Sequence, residues 1–130
     1  MQANTAKPAS RPHTSVFIVE DSPNVRQRLV AMLGETESVS VVGEADTPGD
    51  AIAGILRTRP DWVVLDIQLI GGTGIQVLRE VHAQVPDTEF IVLTNIGSGY
   101  QSICAEAGAS HFVDKRDADT LKDIIFGNKH

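Results

Sequence analysis

Five short apolar runs, rich in β-branched residues and separated by segments of helical apolar spacing, leave this chain few ways to fold. The third is the most informative: Trp62-Val63-Val64-Leu65 is apolar at consecutive positions, follows Pro60 and runs into a single carboxylate, Asp66. Consecutive rather than alternating apolar residues predict a strand covered on both faces, the habit of parallel sheets. Asp66 then falls where that strand surfaces. An ionised carboxylate is costly to bury unpaired, so Asp66 either punctuates the strand in solvent or has a partner or a chemical role. The motif alone leaves both readings open.

The other runs extend the pattern. Val16-Phe17-Ile18-Val19 exits on Glu20-Asp21, and Ser22-Pro23 pairs an N-cap with proline at the first helical position. Val25, Leu29, Met32 and Leu33 give that helix an apolar face, which stops at Gly34. Val39 to Gly43 reads as the second strand, and Thr47-Pro48-Gly49-Asp50 opens a helix bearing Ile52, Ile55 and Leu56. Thr73-Gly74-Ile75-Gln76 has the form of a capping box before Val77, Leu78, Val81 and Val85, with Pro86 closing the helix. Phe90-Ile91-Val92-Leu93 exits on Thr94-Asn95 into Gly97-Ser98-Gly99, and Tyr100, Ile103, Cys104 and Ala107 mark a short helix ending at Gly108. Ser110-His111-Phe112-Val113 leaves on Asp114-Lys115, and Asp117 is expected to cap a last helix carrying Leu121, Ile124 and Ile125. Strict alternation with short connections predicts an α/β fold: a doubly wound, five-stranded parallel sheet with five helices. The strand order expected of the flavodoxin-like class is 2-1-3-4-5.

At 130 residues the chain has room for one core, and it contains no apolar run of the roughly 20 residues a membrane span needs. With no signal-peptide pattern, a cytoplasmic location is the default expectation. Residues 1–14 hold two prolines, two basic residues and no acid; they read as a disordered leader, with the domain proper over 15–130. The remaining residues carry nine basic against 17 acidic side chains, a balance that argues against a nucleic-acid surface. The lone Cys104 and four scattered histidines offer no zinc spacing; Cys104 reads as a small core residue, and His82 and His111 as solvated or core histidines.

Chemistry in open parallel sheets collects outside the carboxyl ends of the strands. Those ends bring Glu20, Asp21, Asp66, Thr94 and Lys115 to one edge. Three carboxylates a few ångströms apart require raised pKa values or a cation, and oxygen-only ligands suit Mg²⁺. With an ammonium nearby, such an edge suits an incoming phosphoryl group, a carboxylate serving as nucleophile toward phosphorus.

In this order and spacing the residues resemble the CheY-like receiver domains of two-component response regulators. The match runs over residues 15 to 126: the acidic pair Glu20-Asp21, Asp66 with Gly74 eight positions on, Thr94, and Lys115 after Gly108-Ala109. The resemblance implies that Asp66 accepts a phosphoryl group from the phosphohistidine of a histidine kinase or phosphotransfer protein. It implies Mg²⁺ bound by Asp21, Asp66 and the Gln68 carbonyl, with Glu20 acting through water. It also implies that Thr94 and Lys115 hold phosphoryl oxygens, that Thr94 and Phe112 form the switch, and that residues 97–126 build the output surface. Phe112 by itself reads as a core aromatic.

The chain departs from the usual receiver pattern at Ile70, where proline is common, at Asn95, where a small residue is usual, and at Arg116, where proline usually follows the lysine. Ile70 is expected to leave the Asp66 loop less rigid, Asn95 to crowd the phosphoryl site, and Arg116 to make a cis peptide unfavourable by about 3 kcal/mol. Because no linker begins after the last helix, a stand-alone receiver is expected, with output through an unidentified protein and no reaction on an external substrate. Rival readings fit less well. An aspartate-nucleophile phosphatase of the haloacid-dehalogenase type wants a second Asp where Gln68 stands, a P-loop enzyme wants Gly-x-x-x-x-Gly-Lys-Ser/Thr, and a flavodoxin-like cofactor binder would have its phosphate repelled by Glu20-Asp21. A degenerate, unphosphorylated receiver acting as a binding module remains the alternative.

Overall fold

The computed structural model describes residues 13–95 and 98–127. The parallel strands are β1 (Thr14–Val19), β2 (Val39–Ala45), β3 (Trp62–Leu65), β4 (Glu89–Thr94) and β5 (His111–Asp114). The helices are α1 (Pro23–Leu33), α2 (Pro48–Thr58), α3 (Gly74–Val81), α4 (Gln101–Ala107) and α5 (Thr120–Phe126). The sheet runs β2-β1-β3-β4-β5 with every pairing parallel, so the expected 2-1-3-4-5 order is the observed one. Of the leader expected over 1–14, residues 1–12 lie outside the described residues, and Thr14 already belongs to β1.

The continuous apolar runs split by parity into two cores. Phe17, Val19, Val63, Leu65, Phe90 and Val92 face α2, α3 and α4 through Ala51, Ile55, Val77, Leu78, Val81 and Cys104. Val16, Ile18, Val64, Ile91, Leu93 and Val113 face α1 and α5 through Leu29, Leu33, Leu121 and Ile125. Burial on both faces is what a run without alternation requires. Around Phe17 the packing is tight enough to shape the sequence. A Cβ on Gly43 or on Gly54 would stand 2.4 Å from the Phe17 ring, and the β1–β2 register slips between Val16 and Phe17 so that Phe17 faces Gly43.

Three helices start as their sequences predict. Ser22 Oγ accepts from the Val25 N–H at 3.4 Å, Thr47 Oγ1 from Asp50 at 3.2 Å and Thr73 Oγ1 from Gln76 at 3.1 Å. The last helix does not. Asp117 caps nothing; it ends a 3-10 turn over Lys115–Asp117, and α5 begins only at Thr120. The reason lies upstream: Asp114, in extended conformation, accepts from the Arg116 N–H at 2.8 Å and so caps the turn before Asp117 can act. α4 is also narrower than its predicted face. Cys104 and Ala107 are buried, whereas Tyr100 falls in the preceding 3-10 turn and is exposed, as is Ile103. Between β3 and α3 the chain makes an antiparallel hairpin, Gln68–Leu69 with Gly72–Thr73, that the glycines disguised as loop.

Candidate functional site

Two backbone hydrogen bonds carry the parallel ladder one residue past the strands and thereby set the site. The Glu20 N–H donates to the Ala45 carbonyl at 2.9 Å and the Asp66 N–H to the Val19 carbonyl at 3.0 Å, so both carboxylates emerge from neighbouring strand ends. Glu20 is 1% exposed and Asp66 4%; Asp21 is half-buried, and the three offer oxygens within 4.8 Å of one another. Lys115, leaving β5, reaches across the sheet edge, with Nζ 2.8 Å from Asp66 Oδ2 and 3.1 Å from Glu20 Oε1. The backbone finishes the arrangement: Gln68 N–H donates to Asp66 Oδ1 at 3.3 Å and Ser22 N–H to Glu20 Oε2 at 3.1 Å.

Gly74, eight residues after Asp66, is required by contact. A Cβ there would stand 2.1 Å from the Asp66 carbonyl oxygen, because the start of α3 passes directly under the Asp66 loop. Thr94 is the last residue of β4, 1% exposed and paired in register with Asp114, which places it beside the exit to Lys115. Phe112 pairs with Val92 two residues earlier and packs, half-buried, against the core under α2, α3 and α4, the face of the sheet that Val92 shares. Asn95 follows Thr94 as an exposed residue. The structure thus assembles Glu20, Asp21, Asp66, the Gln68 backbone and Lys115 in one cluster, with Thr94 and Phe112 on the adjoining strands. The exposed rings of His82 and His111 lie instead near Phe90 and Trp62.

The electrostatics are those of an acidic cleft with too little positive charge. Burial pushes the Glu20 carboxyl above its ordinary value, and the neighbouring Asp66 charge adds to this; hydrogen bonds from Ser22 N–H and Lys115 only partly oppose it. Burial pulls the Lys115 ammonium down, but its hydrogen bonds to Asp66 and Glu20 outweigh that and raise it overall. The asymmetry is physical, since Lys115 serves two carboxylates while Glu20 receives one shared cation. Cys104 is fully buried and burial raises its thiol, which leaves it an inert core residue.

A carboxyl whose folded pKa stands above its unfolded value destabilises the fold as an anion, in the pH range where the unfolded chain is ionised. Glu20→Gln is therefore expected to stabilise the metal-free protein at pH 7 by about 1 kcal/mol, at the expense of the site. The gain should vanish as pH falls below the ordinary glutamate value of 4.5, where Glu20 is protonated in both states. Urea unfolding without divalent cations at pH 7 and at pH 4 measures it. Equal or lower stability of Glu20→Gln at pH 7 would contradict the assignment.

Arg116 does something proline could not. Its backbone N–H and guanidinium both engage the Asp114 carboxylate, which they hold down to about 2, and the surface pair orders the turn directly after Lys115. One residue near the site was not legible beforehand. Arg26 points its Nη1 at the Glu20 carbonyl, 2.6 Å away, and its Nε at Glu44 Oε1, 3.2 Å away. Side chains on a helix tilt toward its N-terminus, so an arginine one turn after the Ser22 cap reaches back over the acidic pair. That spacing was the available signal.

An all-oxygen donor set of three carboxylates facing one ammonium fits a hard divalent cation. The sequence model for the response regulator receiver domain matches residues 16–126. The chain belongs to this family. Among curated relatives, the DNA-binding transcriptional activator DevR/DosR of Mycobacterium tuberculosis is 40% identical over 101 residues, covering 77% of this chain and 46% of the relative. A protein-glutamate methylesterase/protein-glutamine glutaminase of Alkalilimnicola ehrlichii is 35% identical over 110 residues, covering 83% of this chain and 28% of the relative. Receiver domains of this family are thus joined to unlike outputs, and the chain spans less than half the length of these two relatives. Among solved structures, a two-component response regulator of the LuxR family from Aurantimonas sp. SI85-9A1 superposes with a TM-score of 0.78 at 28% identity, covering 88% of this receiver and 86% of that chain. The response regulator domain of Thermotoga maritima CheB, at 21% identity, shares the fold with a TM-score of 0.81 and coverage of 91% and 98%.

Proposed function

We propose that this receiver accepts a phosphoryl group on Asp66 from the phosphohistidine of a histidine kinase or phosphotransfer protein, and that the adduct biases an output surface toward a protein partner. The observation that carries the reading is Lys115 Nζ on Asp66 Oδ2 at 2.8 Å, with Glu20 and Asp21 carboxylates beside it at the mouth of the sheet. An Asp66 oxygen forms the new P–O bond as the P–N bond to the donor imidazole breaks. Asp21, Asp66 and the Gln68 carbonyl would hold Mg²⁺, with Glu20 acting through water, and the bound ion would supply charge to neutralise the equatorial phosphoryl oxygens. Lys115 stays with the new negative charge by exchanging its Asp66 contact for a phosphoryl oxygen. The Thr94 hydroxyl donates to another, and its movement frees space toward which the half-buried Phe112 turns, a two-state element that phosphorylation biases.

The reaction is confined to the protein's own carboxylate, with uptake and later hydrolysis and no external substrate. Low-molecular-weight phosphodonors provide the test. Intact mass after incubation with and without Mg²⁺ should show a gain of one phosphoryl group only with the metal, mapped by peptide analysis to Asp66. No gain, under conditions that label another receiver, would instead assign the chain to unphosphorylated binding modules and direct attention to Asn95.

A further inference from the structure

We propose that Arg26 is a positioning residue for the divalent-cation site, holding the acidic turn in the shape that cation binding needs. The inference rests on the reading of Glu20, Asp21 and Asp66 as that site. Lys115 touches the two buried carboxylates themselves; Arg26 touches the main chain behind them. Its Nη1 lies 2.6 Å from the Glu20 carbonyl oxygen, a charge-assisted hydrogen bond to the peptide that joins Glu20 to Asp21. Fixing that peptide plane fixes the direction in which Asp21 leaves the chain. Arg26 is itself fixed at two further points: its N–H donates to the Ser22 carbonyl at 2.9 Å within the first turn of α1, and its Nε meets Glu44 Oε1 on β2.

One residue therefore ties the exit of β1 and the end of β2 through its side chain, and the start of α1 through its backbone, into a single unit around the half-buried Asp21. Because Arg26 meets the site through the Glu20 carbonyl and not through Glu20, Asp21 or Asp66 carboxylate oxygens, it has no need to move when a cation or a phosphoryl group enters. Outer partners that orient ligands commonly change metal affinity by 10- to 100-fold when removed. The charge of Arg26 acts the other way, since a cation beside the site repels Mg²⁺. Neutralising Glu44 together with Arg26 cancels that term and keeps the formal charge at −6.

The test is Mg²⁺ titration by calorimetry on wild type and on the double variant Arg26→Gln/Glu44→Gln, with thermal melts and the Mg²⁺ dependence of phosphoryl uptake measured alongside. The expected result is a dissociation constant raised about tenfold, a matching rise in half-saturating Mg²⁺, and an uptake rate near that of wild type once Mg²⁺ is saturating. A purely structural role would lower the melting temperature and leave the dissociation constant unchanged, and that result overturns the proposal. If the double variant does not fold, Arg26→Lys decides, since it keeps the charge but cannot span both partners. A dissociation constant above that of wild type supports the proposal and an unchanged one overturns it. A wild type that binds Mg²⁺ and is labelled, beside variants of unchanged affinity, removes Arg26 alone; a wild type that does neither removes the phosphoacceptor reading as well.

Discussion

Asp66→Asn is expected to give a folded protein that takes up no phosphoryl group under any Mg²⁺ concentration. The amide is nearly the shape of the carboxylate but lacks the anionic oxygen that attacks phosphorus, so the loss is complete rather than partial. Stability should barely move, because two changes oppose each other. The amide can accept from only one of the two donors now on Asp66, Gln68 N–H at 3.3 Å and Lys115 Nζ at 2.8 Å. Losing one such bond costs about 1 kcal/mol. Against that, the like-charge contact with buried Glu20 disappears and Lys115 keeps Glu20 as its partner. A net change within about 1 kcal/mol follows. Intact mass gives the first quantity and urea unfolding the second. Uptake retained by Asp66→Asn would move the acceptor to another side chain.

Gly74→Ala is expected to damage the fold more than any other single methyl added in the loops about the site. The new Cβ would lie 2.1 Å from the Asp66 carbonyl oxygen and 3.0 Å from its carbonyl carbon, both backbone atoms. Neither side can retreat cheaply: Asp66 N–H is committed to Val19, and Gly74 N–H donates to the Ile67 carbonyl at 2.7 Å. Relieving the clash means shifting α3 or the acceptor loop, at a cost of about 3 kcal/mol or more. Gly49→Ala is the matched control. Gly49 lies in the first turn of α2 with nothing within 4 Å of its Cβ direction, so the same substitution there should be neutral or stabilising by up to about 1 kcal/mol. Equal stability of the two variants would remove the steric account of Gly74.

Much of this was readable from the residues because the physics was local. Continuous apolar runs announced a sheet covered on both faces, and Ser22, Thr47 and Thr73 each did at a helix start what their side chains allow. Strand exits then collected Glu20, Asp21, Asp66, Thr94 and Lys115 without further information. The failures share a different cause, competition between two local solutions. Asp117 is a sound cap in isolation and was displaced because Asp114 and Arg116 had already closed a turn. The Gln68–Thr73 hairpin was hidden by glycines that read as loop. Arg26 was missed because only its spacing from the acidic pair hinted at the contact: one partner is a backbone carbonyl and the other, Glu44, lies on another strand.

Lys115 gives the fold an order of assembly. Glu20 and Asp66 come from the first and third strands, yet the ammonium that neutralises them follows the fifth, 95 residues after Glu20 and 49 after Asp66. A chain synthesised from its N-terminus has every part of the central sheet in hand before it holds the counter-charge for its most buried acids. Closing those carboxylates away from water without a cation is strongly unfavourable. The C-terminal mouth of the sheet is thus expected to be the last region to dry, as β5 docks. Such a receiver is expected to complete its acidic site at the same step at which it finishes folding, so that incomplete chains stay silent.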